Sequence, residues 1–222
     1  MANISKIGNE LVCNNPSCKL KAISLSENCW KHTNDKISYI EKLKKYLLSG
    51  ESGENFILQK IVLRDSDLIR VNLKGADLTQ SDLTNTNFSY SDFSSANLIG
   101  SNLQGCDLTG SNLKSCDLTR ANMKSVRLWH ADLSHANIAE ADLNESDLWN
   151  CQLYESRLWH TGLKNIKSLT KQNFSKTILG FISREKIDEK GVMSAQESYL
   201  ALKQYFIENG RYREASWASF KE

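Results

Sequence analysis

The sequence has no apolar run that approaches the ~18 residues of a membrane-spanning helix, and its first residues, MANISKIGNELVC, contain no apolar signal-peptide segment. We therefore expect no membrane segment and a cytoplasmic location. The chain also lacks an excess of charge of either sign, because 28 Lys and Arg against 26 Asp and Glu leave a net charge of +2 at pH 7. No global electrostatic field argues for direct binding to nucleic acid or for imitation of it.

What the sequence has in quantity is a five-residue repeat. It runs without an insertion from residue 56 to residue 165, as 22 pentads from FILQK and IVLRD to TGLKN. The central residue, position i, is large and apolar in all 22 pentads: 18 Leu together with Phe88, Phe93, Met123 and Ile138. Position i−2 is Ala, Ser, Thr or Cys in 18 pentads, and position i−1 is Asp or Asn in 16. Such a short fixed period predicts a solenoid.

The alternation within each pentad predicts which side chains face the interior. Positions i−2 and i point inward in a short extended piece, position i−1 faces water, and the last two residues turn the corner. The pentads ADLTQ (76–80), ANLIG (96–100) and ADLSH (131–135) resemble the A(D/N)Lxx pattern of the pentapeptide repeat family of bacteria. The resemblance implies a mainly β fold, a right-handed quadrilateral parallel β-helix with four pentads per coil, and hence a stack of about 26 Å.

The repeat departs from this pattern towards its end. Position i−1 is no longer Asp or Asn in four pentads, at Arg127, Gln152, Arg157 and Gly162. The register ends after residue 165, where we expect the last coil to be capped. Cys106, Cys116 and Cys151 all stand at position i−2, where we expect them to fill the interior.

Residues 1–33 contain a motif typical of a metal site. Cys13, Cys18, Cys29 and His32 have the spacing C-x4-C-x10-C-x2-H, which suits a tetrahedral Cys3His zinc site. The segment resembles short zinc modules that precede repeats in some bacterial proteins. We expect one structural Zn²⁺ with a closed shell of protein ligands and no catalytic position. The alternatives are three unrelated thiols with a surface histidine, or a redox role.

Helices are predicted on both sides of the repeat. Residues 34–55 form a helix capped by Asn34 or Asp35, which we expect to cover the first coil, although its lysines are also compatible with a membrane surface. Its expected apolar face comprises Ile37, Ile40, Leu43, Tyr46 and Leu47.

A connector at 166–182 leads to a predicted helical hairpin at 183–222, which is similar to one unit of the TPR type and must dock on something. Its apolar positions include Tyr199, Tyr205, Phe206 and Trp217. The helical pattern still runs at the last residue, as expected of a fragment of a longer protein.

Trp129 and Trp149 both stand at position i+1 and are separated by four pentads, so we expect them to stack on one outer face. An outward pair of indoles is either covered by the hairpin, the interpretation we favour, or forms a patch that binds a partner. The same spacing pairs three sets of charged residues: His135 with Glu155, Glu140 with His160, and Arg127 with Asp147. We interpret them as surface ladders and predict no catalytic residue.

These features predict a non-enzymatic scaffold or adaptor whose flat β faces bind an unidentified protein, with a homodimer left open. The alternative function is regulation of a DNA gyrase or topoisomerase by mimicry of DNA, as some members of the family do. Mimicry requires a continuous acidic stripe, and residues 56–165 have a net charge of only −3, with five scattered arginines. An enzyme that uses the histidine–carboxylate pairs is the third and least favoured possibility.

Overall fold

The computed structural model describes residues 25, 26, 28, 30–174, 200 and 202–219. Its described helices are two 3-10 turns, Trp30–His32 and Lys171–Phe174, and the α-helices α1 (Lys36–Leu48), α2 (202–208) and α3 (Tyr212–Ser219). The β structure between them consists of single-residue parallel bridges, the first joining Ile57 to Asp77 and the last joining Asp147 to Lys167. None of the described helices is long and apolar enough to cross a membrane.

Each bridge joins equivalent positions of two pentads that are four repeats apart, so one coil contains four pentads. We number the four faces by their first pentads: face 1 starts with 56–60, face 2 with 61–65, face 3 with 66–70 and face 4 with 71–75. Every later pentad lies on the same face as the pentad four repeats before it. The paired backbone extends beyond the repeat, since the N–H of Gly53 already donates to the carbonyl of Asn72 at 2.8 Å.

The interior is filled as the alternation predicts. All central residues are buried except Leu163, which is partly buried, and nearly all the small residues at i−2 are buried beside them. Buried hydroxyls at i−2 donate to backbone carbonyls, as Ser81 does to Leu58 at 2.8 Å and Thr161 to Ile138 at 2.8 Å. These bonds allow serine and threonine to replace alanine without leaving a polar group unpaired.

The corners impose a second requirement on the sequence. The last residue of every pentad has a positive φ, between 51° and 68°, although glycine occupies this position in only four pentads. A left-handed conformation at the third turn position is most costly for β-branched residues. In agreement, no Val, Ile, Thr or Pro occupies this position in any of the 22 pentads.

The preference for Asp or Asn at i−1 has a local cause. The side-chain oxygen accepts a hydrogen bond from the backbone N–H two residues later, as between Asp77 and Thr79 at 3.1 Å and between Asn97 and Ile99 at 3.1 Å. Threonine at i+1 adds a hydroxyl bond, 2.6 Å from Thr79 to Asp77. The i−1 side chain therefore closes the turn in addition to facing solvent.

Helix α1 covers the N-terminal end of the coil. Asp35 caps it by accepting from the N–H of Ser38 at 2.9 Å, and its buried residues are Tyr39, Leu43 and Leu47. Ile37 was expected on this face but is 77% exposed. That expectation is wrong because the buried face follows a four-residue spacing that starts at Tyr39 rather than at Ile37.

Candidate functional site: the aromatic face of the β-helix

Face 3 displays most of the large apolar side chains that the repeat exposes. Residues 56–165 have five such side chains, and four of them, Ile69, Tyr90, Trp129 and Trp149, belong to face 3. The fifth, Val62, lies in the first coil on face 2. They are outward because positions i+1 and i+2 point away from the core at every corner. Face 3 is therefore the candidate interaction surface.

The two tryptophans are in contact with each other. Their ring centroids lie 6.0 Å apart at an interplanar angle of 82°, an edge-to-face arrangement. His130 packs against Trp149 at 4.6 Å, and its Nδ1 lies 2.8 Å from Nδ2 of Asn150. Trp129 is 37% exposed and Trp149 53% exposed. The cluster is thus held in place by its own members while its outer surface remains open to solvent.

Arginines extend this aromatic surface. The guanidinium of Arg127 lies 5.1 Å from the centroid of Trp129, and that of Arg70 lies 5.8 Å from Tyr90. Arg127 also donates to Asp107 at 2.5 Å, so the expected ion pair with Asp147 is wrong. Arg127 and Asp147 are neighbours through their backbones. The side chain of Arg127 instead turns towards the carboxylate of Asp107 in the preceding coil and lies beside the indole of Trp129 in its own pentad.

The carboxylate of Asp107 is held in its charged form, which favours the ion pair with Arg127. Burial raises the pKa of Asp107, but hydrogen bonds from Thr109 and from Arg127 outweigh burial and hold the pKa below its ordinary value. Asp107 therefore stays ionised and keeps Arg127 in place across face 3.

The described part of the C-terminal hairpin is bonded to the end of the last coil. Phe206 is fully buried in the core cluster, and the hydroxyl of Tyr205 donates to the carbonyl of Ile166 at 3.0 Å. Arg211 donates to the carbonyl of Leu169. Tyr205 and Arg211 therefore seal the last coil, whose carbonyls need donors. The other expected contacts, Tyr199 and the side chain of Trp217, lie outside the described residues, so docking of the hairpin on Trp129 and Trp149 stays a prediction.

A shallow depression adjoins face 3 at this end. It has a volume of about 300 Å³ and is lined by Trp149, Asn150, Cys151, Ser168, Thr170, Gln172 and Asn173. Its walls are the last coil of the repeat and the residues that follow it. The depression is therefore continuous with the tryptophan cluster.

The histidine–carboxylate pairs lie on exposed edges of other faces. Nδ1 of His135 is 2.9 Å from Glu155, and Nε of Arg120 is 2.7 Å from Glu140. The hydrogen bond from Arg120 lowers the pKa of Glu140, and the charge of His160 contributes in the same direction. These contacts join successive coils, as expected of cross-strand ladders.

The charges are distributed evenly around the solenoid. Within 56–165 each face carries three or four carboxylates and two or three Lys or Arg residues. Three of the arginines bind carboxylates of a neighbouring coil: Arg64 binds Asp82, Arg120 binds Glu140 and Arg127 binds Asp107. Within this described surface no face presents an uninterrupted acidic stripe.

Comparison with known proteins identifies the repeat. The family described as "Pentapeptide repeats (8 copies)" matches residues 54–85, 86–124 and 121–159. Residues 54–159 are pentapeptide repeats. Proteins of this family fold as right-handed quadrilateral β-helices, in agreement with the four-pentad coil. A comparison with curated protein sequences gave no match.

Several solved structures of pentapeptide repeat proteins are similar to this chain. Rfr23 from the cyanobacterium Cyanothece 51142 shares 27% identity over 58% of this chain and 94% of its own, with a TM-score of 0.33. The protein alr5209 from Nostoc Pcc 7120 shares 26% identity over 59% of this chain and 93% of its own, with a TM-score of 0.39. QnrB1, a plasmid-mediated fluoroquinolone resistance protein, shares 15% identity over 52% of this chain and 65% of its own, with a TM-score of 0.28.

The cysteines of the pentapeptide repeats are core residues, as predicted. Cys106, Cys116 and Cys151 are buried and unpaired, and burial raises the pKa of the Cys106 thiol to about 12. The predicted zinc ligands Cys13, Cys18 and Cys29 lie outside the described residues. The backbone of His32 belongs to the 3-10 turn Trp30–His32. The zinc site therefore stays a prediction.

Sequence reasoning places Ile69 in the same column as Trp129 and Trp149 but misses Tyr90. Ile69 stands at i+1 and Tyr90 at i+2, in the same columns as Trp129 and His130. Tyr90 has a φ of 60°, which is uncommon for a bulky residue, and its ring lies where a side chain at Gly110 would be. The signal was present in the four-pentad spacing, since Gly110 follows Tyr90 by one coil.

Proposed function

We propose that this protein is a non-enzymatic scaffold or adaptor, and that face 3 of its β-helix binds a partner protein. The supporting observation is the concentration of four exposed large apolar side chains on one face. Exposed apolar side chains that are concentrated on one surface often mark a site where another protein binds. Tyrosine, tryptophan and arginine are also the residues that contribute most to binding at protein interfaces.

The rigidity of the surface also supports this function. Trp129, Trp149 and His130 pack against one another, and Asp107 holds Arg127 beside Trp129. Side chains that are ordered before binding lose less conformational entropy when a partner arrives. Face 3 therefore suits a binding surface better than the polar faces do.

DNA mimicry receives no comparable support. A protein that imitates DNA needs a regular row of negative charge, whereas Arg64, Arg120 and Arg127 each neutralise a carboxylate on a different face.

A photo-cross-linking residue at position 109 tests the proposed function. Thr109 lies in the centre of face 3, and Thr119 is its matched control on face 1, since both occupy i+1 and bond to the preceding aspartate at 2.6 Å and 2.5 Å. In native extract we expect irradiation to join a protein to position 109 but not to position 119. Equal labelling at the two positions, or none at 109, would contradict the proposal.

A further inference from the structure

The outward i−1 column of face 3 has an unusual order of charges. From the first coil to the last it consists of Asp67, Asn87, Asp107, Arg127, Asp147 and Lys167. When a second copy of this column is laid against it in the antiparallel direction, the two ends bring Asp67 opposite Lys167. The two central positions bring Asp107 opposite Arg127. In the remaining pair the amide of Asn87 faces the carboxylate of Asp147, which can accept its N–H.

The register of such a pairing is determined by the same charges. A shift by one coil in one direction places Asp67 opposite Asp147 and Asp107 opposite its own copy. A shift in the other direction places Arg127 opposite its own copy and Asp107 opposite Asp147. Like charges in direct opposition disfavour both shifts, so the column selects one register out of three.

Size is complementary in the register that the charges select. The two tryptophans of one copy come opposite small residues of the other: Trp149 opposite Ser89, and Trp129 opposite Thr109. The contrast is largest for the first pair, in which Trp149 is 53% exposed and Ser89 is only 8% exposed. Ile69 of one copy would face the depression beside Trp149 of the other.

The other three faces lack this combination. In the same antiparallel arrangement face 2 places Asp82 opposite Asp142, a pair of like charges, and the i−1 columns of faces 1 and 4 bring no opposite charges together. Of the five exposed large apolar residues of the repeat, only Val62 lies outside face 3. Among the described faces, self-complementarity of charge and shape is therefore specific to face 3.

We propose that face 3 is the interface of an antiparallel homodimer, in which a second copy of this chain is the partner. This inference rests on the proposed function in taking face 3 as a protein-binding surface. The two-fold axis passes between the coils of Asp107 and Arg127, where two ion pairs meet. The column spans five coil spacings, about 24 Å. An interface this narrow falls below about 1,200 Å² in total, so we expect a dissociation constant in the micromolar range.

The first experiment measures the association of the purified full chain by sedimentation over a concentration series. We expect a monomer–dimer equilibrium that Trp149→Ser weakens at least about tenfold. Lys167→Asp should also weaken it about tenfold or more, because both symmetry-related contacts become repulsive. Lys164→Asp is the matched control, because it makes the same change of charge three residues away, on face 2. Lys164 and Lys167 are both exposed, and we expect Lys164→Asp to leave association unchanged.

The decisive experiment uses charge complementation. Asp67→Lys and Lys167→Asp are each expected to be monomeric, since each chain then presents like charges to its own copy. Their equimolar mixture should form a heterodimer, because both contacts become opposite pairs again. Asp67 and Lys167 lie too far apart within one chain to interact, so this rescue cannot come from an intramolecular contact. Thermal melting of each variant establishes that it is folded.

The outcomes separate this inference from the proposed function. A purified chain that stays monomeric up to about 1 mM overturns the homodimer, and labelling at position 109 in extract would then still support a different protein partner. A dimer that is unaffected by Trp149→Ser and by Lys167→Asp, or a mixture that does not associate, also overturns the proposed interface.

Discussion

The substitution Gly53→Ala, which adds one methyl group, should show how α1 closes the N-terminal end of the solenoid. Gly53 stands at the central position of the pentad 51–55, where the repeat would have leucine, and Leu47 of α1 occupies the space. A Cβ atom at Gly53 would lie 2.8 Å from Cδ2 of Leu47, 2.9 Å from the carbonyl oxygen of Asn72 and 2.9 Å from Cδ2 of Leu73. The carbonyl is part of the first hydrogen-bonded coil and cannot move aside freely. Gly53→Ala should therefore displace the helix.

The expected cost follows from the packing. Overfilling a tight core costs about 1–3 kcal/mol, which for a protein of this size corresponds to a decrease in melting temperature of roughly 2–12 °C. Circular dichroism measures the melting temperature. Hydrogen exchange should locate the damage in α1 and the first coil, since a solenoid transmits stability mainly between neighbouring units.

Gly162→Ala is the matched control for this prediction. A Cβ atom at Gly162 would lie 3.2 Å from the Asp142 carboxylate and 3.3 Å from the Asn144 side chain, and both groups can move. The control should melt within about 1 °C of the parent or slightly above it, because alanine restricts the unfolded chain. Combined with Leu47→Ala, Gly53→Ala should cost less than it does alone. If Gly53→Ala melts like the parent protein, the idea that Leu47 replaces the missing leucine is refuted.

Three further predictions concern the core, the N-terminus and the alternative function. Leu103 is 1% exposed in the middle of the stack, so Leu103→Asp should prevent soluble folding, and a soluble variant with unchanged melting would contradict this. Elemental analysis should find about one zinc per chain, and Cys29→Ser should remove it while the solenoid stays folded. Finally, excess protein should leave the supercoiling activity of DNA gyrase unchanged; strong inhibition would restore mimicry as the leading function.

The solenoid could be predicted from the sequence because each pentad repeats the same physical demands. Leucine at i and a small residue at i−2 recur wherever the interior needs them, and the observed burial agrees at nearly every position. The left-handed corners could also have been recognised, since β-branched residues never occur there. What the repeat does not encode is its two ends. Gly53 and Phe206 each form a contact that occurs only once in the solenoid, so the repeating pattern does not predict it.

The position of the hairpin illustrates the same limit. A pair of exposed indoles and an unpartnered hairpin suggested that each covers the other. The sequence alone does not show whether the hairpin packs more favourably on the indoles or on the open end of the last coil. At that end the carbonyls of Ile166 and Leu169 accept hydrogen bonds from Tyr205 and Arg211. Unsatisfied carbonyls at a solenoid end cost more than exposed aromatic surface, so the described part of the hairpin seals the end.

The repeat leaves only certain positions free to encode recognition. The core prescribes i−2 and i, and the turn prescribes Asp or Asn at i−1 because the side chain must accept the N–H two residues later. Residues that recognise a partner are therefore expected at i+1, at i+2 and at those i−1 positions that are not Asp or Asn. Trp129, Trp149 and Tyr90 occupy the first two classes, and Arg127 is such a departure, which gives up the turn bond and lies instead between Asp107 and Trp129. These four residues all lie on face 3, the face that we propose as the binding surface.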